Sequence, residues 1–166
     1  MIEKIYIDMD GVLADFDRGV EEICGVARPE PGKSRTGEND NLMWERMRFV
    51  EHFYNKLEPM PGAVDMFSKL WKLFGDRVEI LSGIPNPKRG IEKAGDDKIC
   101  WAHRFLCEDL KVNIVYRAEK ANFCKGKDYI LIDDLVVNIK EWEEKGGTGI
   151  LHKSPELTLL QLDCLL

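Results

Sequence analysis

Short apolar runs alternate along the chain with longer stretches in which apolar residues recur at helical spacing. The short runs predict five strands, at residues 4–8, 77–82, 112–117, 129–133 and 148–152. The longer stretches predict helices after Pro61, at 96–110, at 135–146 and near the end of the chain. Strands that alternate with helices favour a parallel sheet covered on both faces. The pattern therefore predicts an α/β fold with a Rossmann-like parallel sheet of about five strands.

The stretch between the first two predicted strands is too long for a single crossover. It contains a polar segment rich in Pro and Gly at 26–41, which reads as a loop, and apolar residues at helical spacing in 42–57. We predict that residues 17–58 form a small helical cap inserted after the first strand. Residues 1–16 and 59–166 would then form the core.

Two of the predicted strands end in pairs of acids. Asp8 and Asp10 end the first strand, before a turn at Gly11, and Asp133 and Asp134 end the fourth. The carboxyl ends of neighbouring parallel strands share one edge of the sheet, so these carboxylates would converge there. One aspartate could be a helix N-cap, but four need a compensating cation. Oxygen ligands without nearby His or Cys favour Mg²⁺.

The composition is that of a soluble globular protein, with 44% hydrophobic and 33% charged residues and a formal net charge of −6. This charge disfavours binding to duplex nucleic acid, and no apolar run is long enough to span a membrane. The start, "MIEKIYIDMD", does not resemble a signal peptide, so we expect a cytoplasmic protein. The five cysteines are scattered and are expected to be reduced thiols. The oligomeric state stays open, with a homodimer as one alternative.

These motifs resemble those of the haloacid dehalogenase-like phosphohydrolases. "IYIDMDGVLADF" is similar to their first motif, an apolar strand followed by D-x-D-G, and "YILIDD" is similar to their acidic fourth motif. "VEILSG", which contains Ser82 and Gly83, resembles the second motif, a Ser or Thr after an apolar strand. The third motif is a lysine, for which the chain offers Lys120, Lys125 and Lys127.

Within that superfamily the chain resembles the 5′(3′)-deoxyribonucleotidases most. The resemblance rests on "DMDGVLADF", "LEPMPGAV" and "LIDD", and on the presence of a short cap after the first motif. "RAEK" resembles the "RDK" that carries their third-motif lysine, which favours Lys120. "DKICWAHRFL" resembles their Lys-x-x-Trp helix, which implies that Lys98 lies near the site.

The resemblance implies a Mg²⁺-dependent hydrolase of phosphoric monoesters that works through an aspartyl phosphate. Asp8 would be the nucleophile, and Asp10 would protonate the leaving group and then deprotonate the attacking water. Ser82 would donate a hydrogen bond to the phosphate, whose charge Lys120 would neutralise.

The same resemblance implies a set of metal ligands. Asp8, the backbone carbonyl of Asp10 and the carboxylate of Asp134 would hold Mg²⁺. Asp133 would hold a metal-bound water or orient Lys120.

The implied substrate is a small phosphorylated molecule, a nucleoside monophosphate, which would place the enzyme in nucleotide metabolism. Phe16 and Trp44 could stack on a nucleobase, although Trp44 could equally belong to the core of the cap. Gly83 and Lys98 complete the expected substrate-binding residues.

Three other functions stay open. The same chemistry could act on a sugar phosphate or on a 3′-phosphate end, because substrate choice depends on the cap. A receiver-like signalling domain also combines acids, a lysine and Mg²⁺, but the DxD pattern and the inserted cap disfavour it. A non-catalytic binding protein would be expected to lack Asp8 or Asp10, and both are present.

His52 and His103 are interpreted as surface or packing residues.

Overall fold

The five apolar runs form one parallel sheet in the computed structural model, which describes residues 1–166. The strands are β1 (Lys4–Ile7), β2 (Val78–Gly83), β3 (Val112–Val115), β4 (Tyr129–Asp133) and β5 (Thr148–Leu151). All neighbouring strands are parallel, and their order in the sheet is β3-β2-β1-β4-β5. The predicted Rossmann-like α/β fold is therefore confirmed.

The order of the sheet reverses at β1. The chain runs from β1 outward to β2 and β3, and then returns to place β4 on the other side of β1. Ile5 of β1 pairs with Val78 of β2 and with Ile130 of β4. Ligands of open α/β sheets bind beyond the carboxyl ends of the strands at such a reversal. This edge is where Asp8 and Asp133 end their strands.

Six α-helices accompany the sheet. They are α1 (Phe16–Gly19), α2 (Gly37–Met47), α3 (Ala63–Phe74), α4 (Ala94–Phe105), α5 (Val136–Glu144) and α6 (Pro155–Asp163). The last four lie in the stretches that the sequence predicts to be helical. α3 is followed by Gly75, which has φ 55° at the end of the helix, as its position in the sequence suggests.

One helix differs from the prediction. α2 begins at Gly37, inside the segment expected to be a loop, and ends at Met47, well before residue 57. Glu38 and Asp40 lie in its first turn, where acids stabilise the positive end of the helix dipole. A separate 3₁₀ turn, Phe53–Lys56, follows His52, whose φ of 54° is left-handed.

Both faces of the sheet are covered, as the side-chain alternation of a strand requires. Ile5 and Ile7 point into a large core of 30 buried residues, which includes Trp101 of α4. Tyr6, between them in the chain, packs on the opposite face with Trp142 of α5. The two clusters fix the sheet between its helices.

The segment between residues 17 and 58 leaves the core and returns to it at one place. The backbone N–H of Asp15 donates to the carbonyl of Glu58 at 2.8 Å, and that of Met60 donates to Leu13 at 2.7 Å. Its two ends are therefore joined side by side, which is the geometry of an inserted segment. That this segment acts as a cap stays a prediction.

No helix has the length and apolar character needed to cross a lipid bilayer. All five cysteines are free thiols in the structure.

Candidate active site

Three carboxylates meet at the reversal of the sheet. The backbone N–H of Asp8 donates to the carbonyl of Ile132 at 2.9 Å, which carries the β1–β4 pairing up to the first acid. Carboxylate oxygens of Asp8, Asp133 and Asp134 lie within 4.8 Å of one another. Three of the four carboxylates expected from the sequence to converge are thus close together in the structure.

Lys120 lies between two of these acids. It belongs to the 3₁₀ segment Arg117–Phe123, and its Nζ is 2.8 Å from Asp8 Oδ1 and 2.8 Å from Asp133 Oδ2. Burial alone would lower the pKa of Lys120, but the two carboxylates outweigh it and raise this pKa. Lys125 and Lys127 are exposed. Of the three lysines that the sequence offered, Lys120 is the one next to the acids.

Both oxygens of Asp133 are occupied by donors of the protein. Oδ1 accepts the backbone N–H of Leu135 at 2.9 Å, and Oδ2 accepts from Lys120 and from Asn138 Nδ2 at 2.9 Å. Burial, followed by the charge of Asp8, raises the pKa of Asp133 to about 6. Asp133 is therefore held rigidly and orients Lys120.

Asp134 lacks any ion pair in the structure. Burial, then the charges of Asp8 and Asp133, raises its pKa to about 8. Its carboxylate packs against the backbone of Gly11, where a Cβ would overlap Asp134 Oδ2, and Gly11 has φ 80°. Only glycine fits this turn both in conformation and in space.

A second lysine reaches the site from α4. Lys98 is fully buried, and its Nζ donates to Asp10 Oδ2 at 2.7 Å, to Ser82 Oγ at 3.0 Å and to the Gly83 carbonyl at 2.6 Å. Because Ser82 Oγ accepts this hydrogen bond, its own O–H is free to donate to a ligand. The structure thus brings together Lys98, Ser82 and Gly83, as the resemblance implied.

Asp10 keeps one oxygen free. A quarter of its side chain is exposed, but Oδ1 is buried and has no hydrogen-bond partner. Burial raises the pKa of Asp10, the ammonium of Lys98 opposes the rise, and the charge of Asp8 adds to it. An unpartnered carboxyl oxygen with a raised pKa is suited to carrying a proton.

The charges of the site do not balance within the protein. Four carboxylates, of Asp8, Asp10, Asp133 and Asp134, face only two ammonium groups, of Lys98 and Lys120. Counted as ionised groups, they leave a formal excess of two negative charges, and burial together with this repulsion raises the pKa values of Asp133 and Asp134. A small divalent cation with a preference for oxygen ligands fits both this charge and this donor set.

The aromatic candidates are divided between two places. Phe16, at the start of α1, stacks on Tyr54 with ring centroids 6.1 Å apart, and Tyr54 in turn lies 4.5 Å from Lys98 Nζ. Trp44 lies on α2 and is half-buried beneath the guanidinium of Arg89, 5.4 Å from its ring. Phe16 is therefore linked to the acid site through Tyr54, and Trp44 lines a separate cleft.

Sequence reasoning missed two features next to the site. Tyr54 is fully buried, and burial followed by the charge of Asp10 raises its pKa well above the usual value. His52 Nδ1 donates to Asp97 Oδ1 at 2.7 Å, next in the chain to Lys98. An isolated histidine in an apolar stretch carries no sequence signal of such a partner.

Two curated relatives are similar to this chain over most of its length. Human mitochondrial 5′(3′)-deoxyribonucleotidase is 27% identical over 150 residues, which cover 79% of this chain and 61% of the human protein. A putative 5′(3′)-deoxyribonucleotidase of Bordetella pertussis is 30% identical over 142 residues, 78% of this chain and 73% of that protein. The chain thus spans about three-fifths of the length of the human relative. No protein-family model matches the chain.

Solved structures share the fold at low sequence identity. A haloacid dehalogenase-like hydrolase of Streptococcus pneumoniae superposes with a TM-score of 0.61 and 12% identity, over 99% of each chain. An enzyme of the same superfamily from Bacteroides thetaiotaomicron, solved with magnesium and inorganic phosphate, gives a TM-score of 0.51 and 18% identity over 92% of this chain and 95% of that one.

Proposed function

This chain belongs to the 5′(3′)-deoxyribonucleotidase family of haloacid dehalogenase-like hydrolases, and we propose that it hydrolyses nucleoside monophosphates, deoxyribonucleotides above all, to nucleoside and phosphate. The observation that carries this proposal is the position of Asp8. It ends a central strand with Lys120 2.8 Å away and with Asp10 two residues further along the chain. A nucleophile, a cation and a proton carrier are the groups that phosphomonoester hydrolysis requires.

Asp8 acts as the nucleophile in this proposal. One of its oxygens attacks phosphorus, the bond from phosphorus to the ester oxygen breaks, and an aspartyl phosphate forms. Lys120 holds Asp8 Oδ1 and offsets its negative charge, which would otherwise repel a phosphate dianion. Asp133 keeps Lys120 in place through the second contact of its ammonium.

Asp10 moves the proton in both half-reactions. Its free Oδ1 carries the proton that passes to the leaving ester oxygen as that bond breaks. The ionised carboxylate then takes a proton from the water that attacks the aspartyl phosphate, which releases phosphate and restores Asp8. Lys98 donates a hydrogen bond to Oδ2 of Asp10, so the proton is gained and lost at Oδ1.

Ser82 binds a phosphoryl oxygen, and Lys98 adds positive charge beside it, because the three protons of its ammonium are already donated to Asp10, Ser82 and Gly83. Ser82 offers its O–H, and Lys98 offers a buried positive charge 3.0 Å from that hydroxyl. Both groups are completely buried and fixed in position before substrate arrives, so little reorganisation is needed as charge develops.

The residues suited to hold Mg²⁺ are Asp8, Asp134 and the backbone carbonyl of Asp10, with Asp133 close behind them. When bound, the ion would neutralise the charge shared by the nucleophile and the phosphate oxygens. The four acids of the site formally outnumber its two lysines by two, which supports its presence. The Bacteroides enzyme of the same fold was solved with magnesium and phosphate.

The substrate's nucleoside would lie beneath the inserted segment. Phe16 is half-buried just before this segment, and Tyr54 holds its ring by stacking. A rigid aromatic platform next to the phosphate site supports a nucleobase as its partner, because stacking on an aromatic ring tolerates several bases.

The test is phosphate release from a panel of deoxyribonucleoside and ribonucleoside monophosphates, sugar phosphates and an aryl phosphate, with Mg²⁺ or with EDTA. We expect metal-dependent release that favours deoxyribonucleotides and is abolished by Asp8→Asn. Glu3→Gln, an exposed acid before β1, is the matched control and should retain activity. Turnover of sugar phosphates alone would keep the chemistry and reject the nucleotide substrate. No release from any compound would reject the proposed function.

A further inference from the structure

A cleft of about 150 Å³ lies between α2 and the 3₁₀ turn Pro87–Arg89. Its lining consists of Asn41, Trp44, Glu45, Arg48, Lys88 and Arg89, and we call it the cap cleft. Complete small-molecule pockets measure roughly 300–1,000 Å³. The cap cleft is therefore large enough for one group of a ligand and too small for the whole of it.

The cap cleft is positively charged in an acidic protein. Three cations line it against one carboxylate, that of Glu45, whereas the chain as a whole has a net charge of −6. Arg48 and Lys88 form no ion pair in the structure, and Arg89 has only a long one with Asp40, at 3.8 Å. Unpaired cations gathered around a concavity create a local potential that attracts anions.

The cations on the turn are held in place. The guanidinium of Arg89 lies over the ring of Trp44, at 5.4 Å from its centroid. Asn86 Oδ1 accepts the backbone N–H of Lys88 at 3.0 Å, and Gly90, with φ 72°, ends the turn. A site whose groups are already ordered loses less entropy when a ligand binds.

The cap cleft is connected to the acid site through the chain. Its turn belongs to the connection that starts after Gly83 and leads into α4, and the carbonyl of Gly83 accepts a hydrogen bond from Lys98 of that helix at 2.6 Å. The other wall, α2, belongs to the inserted segment. The two walls therefore belong to the connections that follow the carboxyl ends of β1 and β2, the edge of the sheet at which the acids lie.

We propose that the cap cleft binds a second phosphate of the substrate, remote from the phosphate that is hydrolysed. This inference rests on the proposed function, because it assigns the substrate class of the same site. The planar guanidinium groups of Arg48 and Arg89 match the oxygens of a phosphate, and Lys88 adds a point charge. A bisphosphate built on a nucleoside or on a pentose would then bind more tightly than the matching monophosphate.

The test compares matched substrates. A deoxyribonucleoside 3′,5′-bisphosphate is set against its two monophosphates, and a pentose bisphosphate against the pentose monophosphate. Charge-assisted hydrogen bonds to the second phosphate should raise kcat/KM about tenfold or more, through a lower KM. The nucleoside and pentose pairs show which scaffold carries the two phosphates.

The double substitution Arg48→Gln with Lys88→Gln should abolish this preference and leave kcat on the monophosphates unchanged. Lys72→Gln, an exposed lysine on α3, is the control and should keep the preference. Equal KM values for monophosphates and bisphosphates in the wild type would overturn the proposal, as would a preference that survives the double substitution.

A binding measurement separates this proposal from the proposed function. With Asp8→Asn, the affinity for each bisphosphate can be measured by calorimetry without turnover. Tighter binding of the bisphosphate than of the monophosphate, lost in the double substitution, supports the cleft even if no phosphomonoester is hydrolysed. Equal affinities overturn it even if monophosphates are hydrolysed.

Discussion

His52 and Asp97 join the inserted segment to the helix that carries Lys98. His52 Nδ1 donates to Asp97 Oδ1 at 2.7 Å, and His52 holds a φ of 54° to do so. A left-handed conformation is costly for a side chain such as histidine and persists only where the surroundings hold it. A second contact, from Trp101 Nε1 to the carbonyl of Leu57 at 2.7 Å, fastens the same helix to the same segment.

Removing the His52 side chain should destabilise the protein. His52→Ala leaves the buried carboxylate of Asp97 without its partner, and we expect the free energy of unfolding to fall by about 1–3 kcal/mol. Asparagine can donate a hydrogen bond and tolerates a left-handed backbone, so His52→Asn should recover part of this loss. Urea unfolding measures both losses, with Lys56→Gln, an exposed residue of the same segment, as the control. Equal losses for the Ala and Asn variants would contradict the role of the hydrogen bond.

Replacing Lys98, which is not among the proposed metal ligands, should slow catalysis. Lys98→Met removes the donor to Asp10 and Ser82, and we expect kcat to fall by about 10²–10⁴-fold. Lys93→Met, at an exposed position just before α4, should change kcat by less than about twofold. Steady-state kinetics on the best substrate of the phosphomonoester panel checks both variants. Comparable activity in the two variants would remove Lys98 from the mechanism.

A methyl group at Gly11 should disrupt the position of Asp134. Gly11→Ala would bring Cβ into the carboxylate of Asp134, whereas Gly32→Ala, at a similar φ of 77°, meets no atom within 4 Å. Both variants carry the same backbone strain of about 1–2 kcal/mol. Only Gly11→Ala should lose activity and Mg²⁺-dependent stabilisation. If both variants retained activity, the contact with Gly11 would not be needed to place Asp134.

Mg²⁺ should stabilise the wild type against heat, since a ligand that binds only the folded state raises Tm. Asp134→Asn removes one proposed ligand and also the repulsion between this carboxylate and its neighbours. In EDTA its Tm should therefore equal or exceed that of the wild type, and the rise with Mg²⁺ should shrink. Differential scanning calorimetry measures these changes, with Asp163→Asn on the exposed face of α6 as control. An undiminished rise in Asp134→Asn would exclude Asp134 as a ligand.

The stability of the protein should depend on pH through Glu79, which lies on β2 near the edge of the sheet opposite the acids. Burial alone would raise the pKa of Glu79, but an ion pair with Lys4, a 2.9 Å hydrogen bond from Asn113 and the charge of Lys111 lower it. As the pH falls, Glu79 is therefore protonated at a higher pH in the unfolded chain than in the folded protein. The contribution of Glu79 is present above its unfolded pKa of about 4.3 and is lost as the pH falls through the lower folded value.

Between about pH 5.5 and pH 3.5 the wild type should accordingly lose more stability than Glu79→Gln. Urea unfolding at both pH values gives the difference, and Glu144→Gln, an exposed acid of α5, should follow the wild type. Parallel losses in wild type and Glu79→Gln would show that the ion pair does not set this dependence.

The sheet could be predicted from the sequence because its strands are short, apolar and bounded by polar segments. Ile5 and Ile130, which pair in the structure, lie in short apolar runs of the length and composition typical of a buried strand. The acid pairs follow these runs directly, so their convergence followed from the parallel arrangement alone. Lys120 could not be separated from Lys125 and Lys127 by spacing, because the 3₁₀ path of this segment determines which lysine points inward.

The inserted segment was less predictable. Phe53 and Tyr54 lie in a stretch whose apolar residues recur at helical spacing, yet they are buried in a 3₁₀ turn after the left-handed His52. Tertiary contacts to α4 determine this backbone, and a local pattern does not contain them. The same applies to the cap cleft, whose walls lie far apart in the chain.

The position of β1 in the middle of the sheet has a consequence for how the protein is made. On the ribosome Asp8 and Asp10 emerge first, but Lys98 and Lys120 follow only much later, and Ile5 must wait for Ile130 to complete its pairing. Contacts so distant in sequence slow folding. A nascent or truncated chain therefore carries Asp8, the proposed nucleophile, with neither cation nor neighbouring strand. The candidate site is therefore assembled only from parts that lie far apart in the chain.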